Sequence, residues 1–285
     1  MSTVYLNGDY PAMEKARISP MDRGFLFGDG IYEVIPSYGG RMVGFGLHID
    51  RMNDGLDAIG IELGWSHGQW RNICEQLIQR NGGGDLGIYL QVSRGADSRR
   101  FHAYPEGVEP TVFGFTFDAG PSPAADRGAV RAFSAVTAED LRWKRCNIKS
   151  TALLGNVMHF NQGYRGGDNE TILHNRKGEL TEASACNVYV VKDGVVATPE
   201  TGHQILPGIT RLILLDILRA DGGIPVEERA VGLDELREAD EVWLSSSTKE
   251  VVPVIEIDGQ AVGDGAVGDL WERAQALFSK FKYDY

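Results

Sequence analysis

Eleven consecutive residues, Asp118 to Gly128 (DAGPSPAADRG), carry no apolar periodicity and are mostly glycine, proline and alanine. Proline fixes φ and lacks an N–H, and glycine is costly to order, so neither helix nor strand is favoured there. The stretch divides a chain of 285 residues into two blocks, each long enough to bury its own core. The expected organisation is a small N-terminal α+β domain over 1–117, an exposed linker over 118–128 and a larger C-terminal α+β domain over 129–285.

Periodicity fills in the blocks. Asp50 to Leu63 reads as a helix with Met52, Leu56 and Ile59 on one face, and Gln69 to Gln79 as another. Tyr89 to Ser93 and Thr111 to Phe117 read as strands. In the second block Asn187–Val191 and Val195–Thr198 flank Lys192-Asp193-Gly194, whose Asp-Gly pair signals a hairpin turn. Ile209 to Ala220 has the pattern of an amphipathic helix, and Glu241 to Ser245 that of a further strand.

Bulk properties narrow the function. Lys and Arg total 28 against 40 Asp and Glu, a net charge of −12 that argues against nucleic-acid or anionic-membrane binding. Cys74, Cys146 and Cys186 are an odd number without CxxC spacing, so neither a disulfide framework nor a metal site is expected. The N-terminus lacks a basic start followed by an apolar run, and no stretch reaches the length of a membrane span; a cytoplasmic location is expected. Neither GxxxxGK[ST] nor a post-strand GxGxxG occurs, so a nucleotide cofactor is not expected.

Reactive chemistry centres on Lys149, between Ile148 and the pair Ser150-Thr151. That pair is placed to cap the apolar stretch Ala152, Leu153, Leu154, Val157, Met158, which would form a wall behind the lysine. A partly desolvated amine has a lowered pKa and becomes the nucleophile that Schiff-base chemistry needs. Two segments suit an anion. Leu206-Pro207-Gly208-Ile209-Thr210-Arg211 enters a helix whose free N–H groups and dipole attract negative charge, with the Thr210 hydroxyl as a further donor. Ser245-Ser246-Ser247-Thr248 ends a buried strand and forms either a second cradle or a simple turn.

Glu182, in TEASACN, needs a cationic partner, for which a protonated heterocyclic nitrogen would serve. Three glycines in DRGFLFGDGIYEV imply a tight turn before a strand that alternates Tyr32, Val34, Pro36 with Ile31, Glu33, Ile35. Arg51 falls in the first turn of the helix after it. Arg94, Arg99, Arg100 and His102 form a local positive island suited to an anionic ligand.

DRGFLFGDGIYEV, HIDR, the basic RG loop, RWKRCNIKS, LTEASACNV, LPGITR and SSSTKEVVPVIEIDG, in this order, resemble the fold-type IV pyridoxal-phosphate aminotransferases, most of all their D-amino acid (D-alanine) aminotransferase branch. The resemblance runs from about Pro20 to Gly265. It implies a two-domain α+β protomer with pyridoxal 5'-phosphate between the domains, and a homodimer with shared sites. It implies that Lys149 forms the Schiff base and shuttles the Cα proton, and that Glu182 pairs with the pyridine nitrogen so that the ring accepts electrons. Arg51, Ile209, Thr210, Ser246 and Ser247 are implied as phosphate ligands, and Tyr32, one or both of Arg99 and Arg100, and His102 as the substrate-carboxylate trap, arginine and histidine coming from the partner subunit. Arg100 preserves an Arg-x-His spacing in a loop one residue longer than usual, and Ala185 and Cys186 stand where the family carries hydroxyls.

The implied reaction is ping-pong transfer of an amino group between a D-amino acid and a 2-oxo acid through a pyridoxamine intermediate. Branched-chain L-amino acid transaminase, (R)-amine transaminase and 4-amino-4-deoxychorismate lyase are the alternatives on this fold. A non-enzymatic binding protein retaining it is the remaining one.

Overall fold

The computed structural model describes residues 2–285, which divide into two compact units. The first comprises residues up to Ser122 together with Ile148–Leu153 and Tyr285; the second comprises Pro123–Asn147 and Leu154–Asp284. The division falls between Ser122 and Pro123, and Ile148–Leu153, the segment carrying Lys149, groups with the first unit.

The first unit is built on a sheet of β1 (Tyr5–Leu6), β2 (Gly30–Tyr38), β3 (Arg41–Met42), β4 (Leu86–Ser93) and β5 (Thr111–Asp118), in the order β1-β5-β4-β2-β3. All its pairings are antiparallel. The short helix α1 (Arg23–Phe27) precedes β2, and α2 (Phe45–Ala58) and α3 (His67–Arg80) follow β3. On α2, Phe45, Ile49, Met52 and Leu56 recur every three or four residues and are buried. This helix begins five residues before the expected Asp50, after Gly44 in the left-handed region (φ 59°), so Arg51 sits in its second turn rather than its first. Ser66 and Gln69 form a reciprocal capping box that starts α3, whose Trp70, Ile73 and Leu77 face the same core. Ile31, Ile35, Ile88 and Ile148 complete that core, each buried aliphatic side chain contributing about 2 kcal/mol.

The second unit holds β6 (Phe133–Glu139), α4 (Leu154–Gly166), β7 (Glu170–His174), β8 (Leu180–Ala183), β9 (Asn187–Lys192), β10 (Val195–Thr198), α5 (Ile209–Asp221), β11 (Val226–Glu228), α6 (Leu233–Arg237), β12 (Glu241–Ser246), β13 (Glu250–Ile257), β14 (Gln260–Ala261) and α7 (Asp269–Phe281). Its strands run β11-β10-β9-β12-β13-β6-β7-β8, with β14 paired to β13. The Asp-Gly hairpin forms as expected: Asp193 takes φ 48° between β9 and β10, and Val195 pairs with Lys192. Val188, Val190, Val242, Leu244 and Val254 form the centre of one core, while α5 packs on β12 and on α7.

Candidate active site

In the first unit the lysine segment is laid against β2 by backbone pairing. Tyr32 N–H donates to the Lys149 carbonyl at 3.0 Å and Thr151 N–H to the Gly30 carbonyl at 2.9 Å. Gly28, with φ 66°, has Ala152 Cα 2.9 Å from where a side chain would start, so the glycine admits the segment. Ile148 is buried in the core, and Lys149 Nζ lies 4.2 Å from the centroid of the Tyr32 ring. That ring stacks on Tyr89 at 5.6 Å.

The expected apolar wall is absent. Leu154 and Met158 are 73% and 66% exposed and Val157 is exposed too, because α4 starts only at Leu154 and turns these residues to the surface. Ser150 Oγ accepts from Ala152 N–H at 3.3 Å, ahead of the helix, and Thr151 Oγ1 turns to the Gly30 carbonyl. An aromatic ring, not an aliphatic face, is what the amine meets.

On the other face of β2, Glu33 is wholly buried between Ile31 and Ile35. Arg51 Nε and Nη2 donate to its two oxygens at 2.7 and 2.8 Å, and His48 Nδ1 is 2.7 Å away. Burial by itself would raise the Glu33 pKa; Arg51 and then His48 outweigh it and hold the carboxyl well below its usual range. Burial pushes His48 below its usual value against the pull of Glu33, with Arg51 and Lys149 adding to the depression. The guanidinium expected at a phosphate is thereby fixed in place by an internal carboxylate. The signal for this lay in the alternation that put Glu33 on the buried face.

The positive island separates into two kinds of arginine. Arg94 is buried, donating to both Asp29 oxygens at 2.8 and 3.0 Å and to the Ile59 and Gly60 carbonyls, so it is structural. Arg23 donates to the same carboxylate at 2.7 Å. These two guanidiniums overcome the effect of burial and keep the Asp29 pKa low. Arg99, Arg100 and His102 are exposed. Arg99 lies over Phe101, whereas Arg100 and His102 both lie against Phe27.

In the second unit Glu182 is the penultimate residue of β8 and is almost fully buried. Arg142 Nη1 donates to Glu182 Oε1 at 2.5 Å, Leu206 N–H to Oε2 at 3.0 Å, and Asn187 Nδ2 to Oε2 at 3.4 Å. Asp140 grips Arg142 through Nε and Nη2 at 3.0 and 2.8 Å. Burial raises the Glu182 pKa, opposed chiefly by Arg142. The cationic partner that the acid needs inside the protein is thus Arg142, a residue quoted in the lysine motif but given no role by sequence reasoning.

The Leu206-Pro207-Gly208 turn leads into α5, and Gly208 provides no side-chain cap, leaving the first N–H groups of Ile209 and Thr210 available for an anion. Asn187 Nδ2 also holds the Leu206 carbonyl at 2.9 Å. Gly208 leaves room for Asn187 here, since an added Cβ would stand 2.0 Å from Asn187 Oδ1 and would have to displace it. Of the serines, Ser245 is paired with Tyr189 at 2.8 Å and is spent on structure. Ser246 Oγ is buried and, apart from the weak Cys186 thiol, without a hydrogen-bond partner among the described residues. Ser247 lies in the turn between β12 and β13. Cys186 itself lies against Glu170, and burial, with Glu170 adding to it, pushes its thiol up to about 12.

Among the described residues no cluster of His, Cys, Asp and Glu has the arrangement of a metal site, and no helix is long and apolar enough to cross a membrane. The first unit thus presents a lysine beside a tyrosine ring, and the second holds a buried acid and an uncapped helix start.

The fold is that of solved aminotransferases. An Escherichia coli branched-chain amino acid aminotransferase superposes with TM-score 0.87 at 24% identity, covering 98% of this chain and 93% of that one. A holo-form enzyme from Thermobaculum terrenum, also a branched-chain amino acid aminotransferase, does so with TM-score 0.86 at 21% identity over 99% and 94%. The amino-transferase class IV family matches residues 30–257, and the chain belongs to that family. A D-alanine aminotransferase of Bacillus licheniformis is 40% identical over 272 residues, 95% of this chain and 94% of the relative. One of Staphylococcus aureus (strain MW2) is 38% identical over 285 residues, 99% and 98%.

Proposed function

We propose that the protein is a pyridoxal 5'-phosphate-dependent transaminase that moves an amino group between a D-amino acid, such as D-alanine, and a 2-oxo acid. The observation that carries this reading is near-full-length identity of about 40% to D-alanine aminotransferases, combined with an Arg100/His102 pair gathered on one aromatic ring. A 2-amino acid needs its carboxylate neutralised and oriented, and that pair supplies both.

The residues present suit the cofactor. A buried hydroxyl without a strong partner, Ser246, fits a phosphate oxygen, as does the uncapped start of α5. Ile209, Thr210, Ser246, Ser247 and the pinned Arg51 hold the phosphate in this reading. Glu182 keeps the ring nitrogen protonated, its own position set by Arg142, Asn187 and Leu206. When bound, the cofactor supplies a carbonyl carbon for the amine and a ring that accepts electrons from Cα. Lys149 attaches the cofactor and then, once displaced, takes the proton from Cα at Nζ. Tyr32, beside Lys149, and the Arg100–His102 pair, which in this reading reaches the site from the other protomer of the homodimer, orient the carboxylate; Arg99, turned to Phe101, is the weaker candidate.

The two α+β units are proposed as the N- and C-terminal domains of the enzyme. A homodimer is part of this reading, its contact drawn from Leu154, Val157 and Met158 on the exposed face of α4 with nearby Leu141 and Trp143. Three buried free thiols favour a reducing, cytoplasmic setting.

The test is a half-reaction panel of D-alanine, D-glutamate, L-leucine and (R)-1-phenylethylamine, each scored by loss of the cofactor's visible absorbance and formation of the oxo product. Reaction with the D-amino acids and not with L-leucine is expected. Preference for L-leucine or for the carboxylate-free amine contradicts the assignment.

A further inference from the structure

Two observations in the first unit converge on the segment Arg100–His102. The first concerns its backbone. Arg23, only 3% exposed, donates from Nη1 to the Phe101 carbonyl at 2.6 Å and from Nη2 to the His102 carbonyl at 3.4 Å. Its Nε is anchored on Asp29 at 2.7 Å, and Arg23 N–H donates to the Gly95 carbonyl at 2.9 Å. Arg94, at the start of the loop, shares Asp29 and lies 3.7 Å from the centroid of the Tyr104 ring at its end. One partly buried carboxylate therefore fixes the loop at its root, middle and end.

The second observation concerns the side chains. Arg23 Cζ lies 4.8 Å from the centroid of the Phe27 ring and Arg100 Cζ lies 4.9 Å from it. The His102 ring meets the same phenyl at 5.3 Å, inclined by 46°. A guanidinium over an aromatic face is attracted to it and loses freedom, while its planar N–H edge stays available for an anion. Arg99 has no share in this platform and lies over Phe101 instead, at 4.6 Å.

We propose that Phe27 and Arg23 are positioning residues for carboxylate recognition: Phe27 holds the Arg100 guanidinium and the His102 ring on one platform, and Arg23 fixes the backbone that carries them. The proposal rests on the reading of Arg100 and His102 as carboxylate ligands. Preorganisation lowers the cost of ordering two exposed side chains when the substrate arrives. It acts on carboxylate binding, not on proton transfer at Lys149.

The test uses the holoenzyme of wild type, Phe27→Leu, Phe27→Tyr, Arg23→Lys, Arg100→Ala and the Arg100→Ala/His102→Ala pair with and without Phe27→Leu. The measurements are KM and kcat for D-alanine, the Kd of unreactive acetate followed by the cofactor spectrum, and thermal unfolding. Phe27 is only partly buried, so Leu is expected to fold, and Lys at position 23 keeps a countercharge for Asp29. Phe27→Leu and Arg23→Lys are expected to raise KM and the acetate Kd by about tenfold with kcat within about twofold, an effect of the size that loss of orientation gives. Phe27→Tyr restores both constants, and Phe27→Leu adds nothing once Arg100 and His102 are gone.

A folded Phe27→Leu or Arg23→Lys with unchanged constants, beside an Arg100→Ala that raises them, overturns the positioning role of that residue and leaves the carboxylate reading standing. Additive effects in the triple variant also overturn it, because Phe27 would then act apart from the pair. An Arg100→Ala without effect overturns both the inference and the reading beneath it.

Discussion

Arg142 Nη1 donates to Glu182 Oε1 at 2.5 Å, so the buried acid of the second unit already has a countercharge of its own. Asp140, held low by hydrogen bonds from the same guanidinium that outweigh its burial, keeps Arg142 in register. The acid can then face a ring nitrogen without being an isolated buried charge, an arrangement that would be costly.

The first prediction concerns pH. Burial raises the Glu182 pKa and Arg142 is the chief group that lowers it. Arg142→Gln removes that pull, so Glu182 takes up its proton at higher pH and can no longer hold the ring nitrogen's proton there. The acid limb of the kcat/KM profile is expected to move to higher pH; an unmoved limb would separate Arg142 from the chemistry.

Gly208 links the anion site to the acid. A Cβ at this position would stand 2.0 Å from Asn187 Oδ1, while Asn187 bridges the Leu206 carbonyl and Glu182. The backbone itself tolerates alanine, since φ is −63°. Gly208→Ala is therefore expected to displace Asn187, shift the start of α5 and weaken pyridoxal 5'-phosphate binding by roughly tenfold, about 1.4 kcal/mol. Reconstitution of the apoenzyme at graded cofactor concentration measures it.

The third prediction concerns stability. Glu33→Gln leaves Arg51 buried without its carboxylate, a loss of about 3 kcal/mol in the usual range for breaking such a pair. The Glu33 pKa is depressed in the folded state, so its contribution is complete above the unfolded value of about 4.3 and is lost as pH falls below it. Asp29 follows the same sign. Thermal unfolding between pH 5 and pH 3.5 is expected to lose less stability in Glu33→Gln than in wild type, from a lower starting point.

Much of this was open to the sequence where the determinants are local. The β9–β10 hairpin follows from alternation around Asp193-Gly194, and the start of α5 from Pro207-Gly208 before an apolar period. The motif singles out Lys149 as a candidate but does not show its surroundings: its place beside Tyr32 depends on backbone pairing between residues far apart in the chain. Likewise the spacing of the RG loop does not reveal that Arg94 is consumed by Asp29 while Arg100 reaches Phe27. Long-range ion pairs sort arginines that look equivalent in sequence. The expected helix around Arg51 began too late because Gly44, in a left-handed conformation, permits an earlier start.

The central claim is that Lys149 carries the cofactor. Borohydride reduction of the holoenzyme fixes the cofactor covalently on the lysine that bears it, and peptide mass spectrometry locates the added mass. The account expects that mass on the peptide containing Lys149, and its absence when D-alanine has first converted the enzyme. Label on a different lysine, or none in the resting holoenzyme, would contradict it.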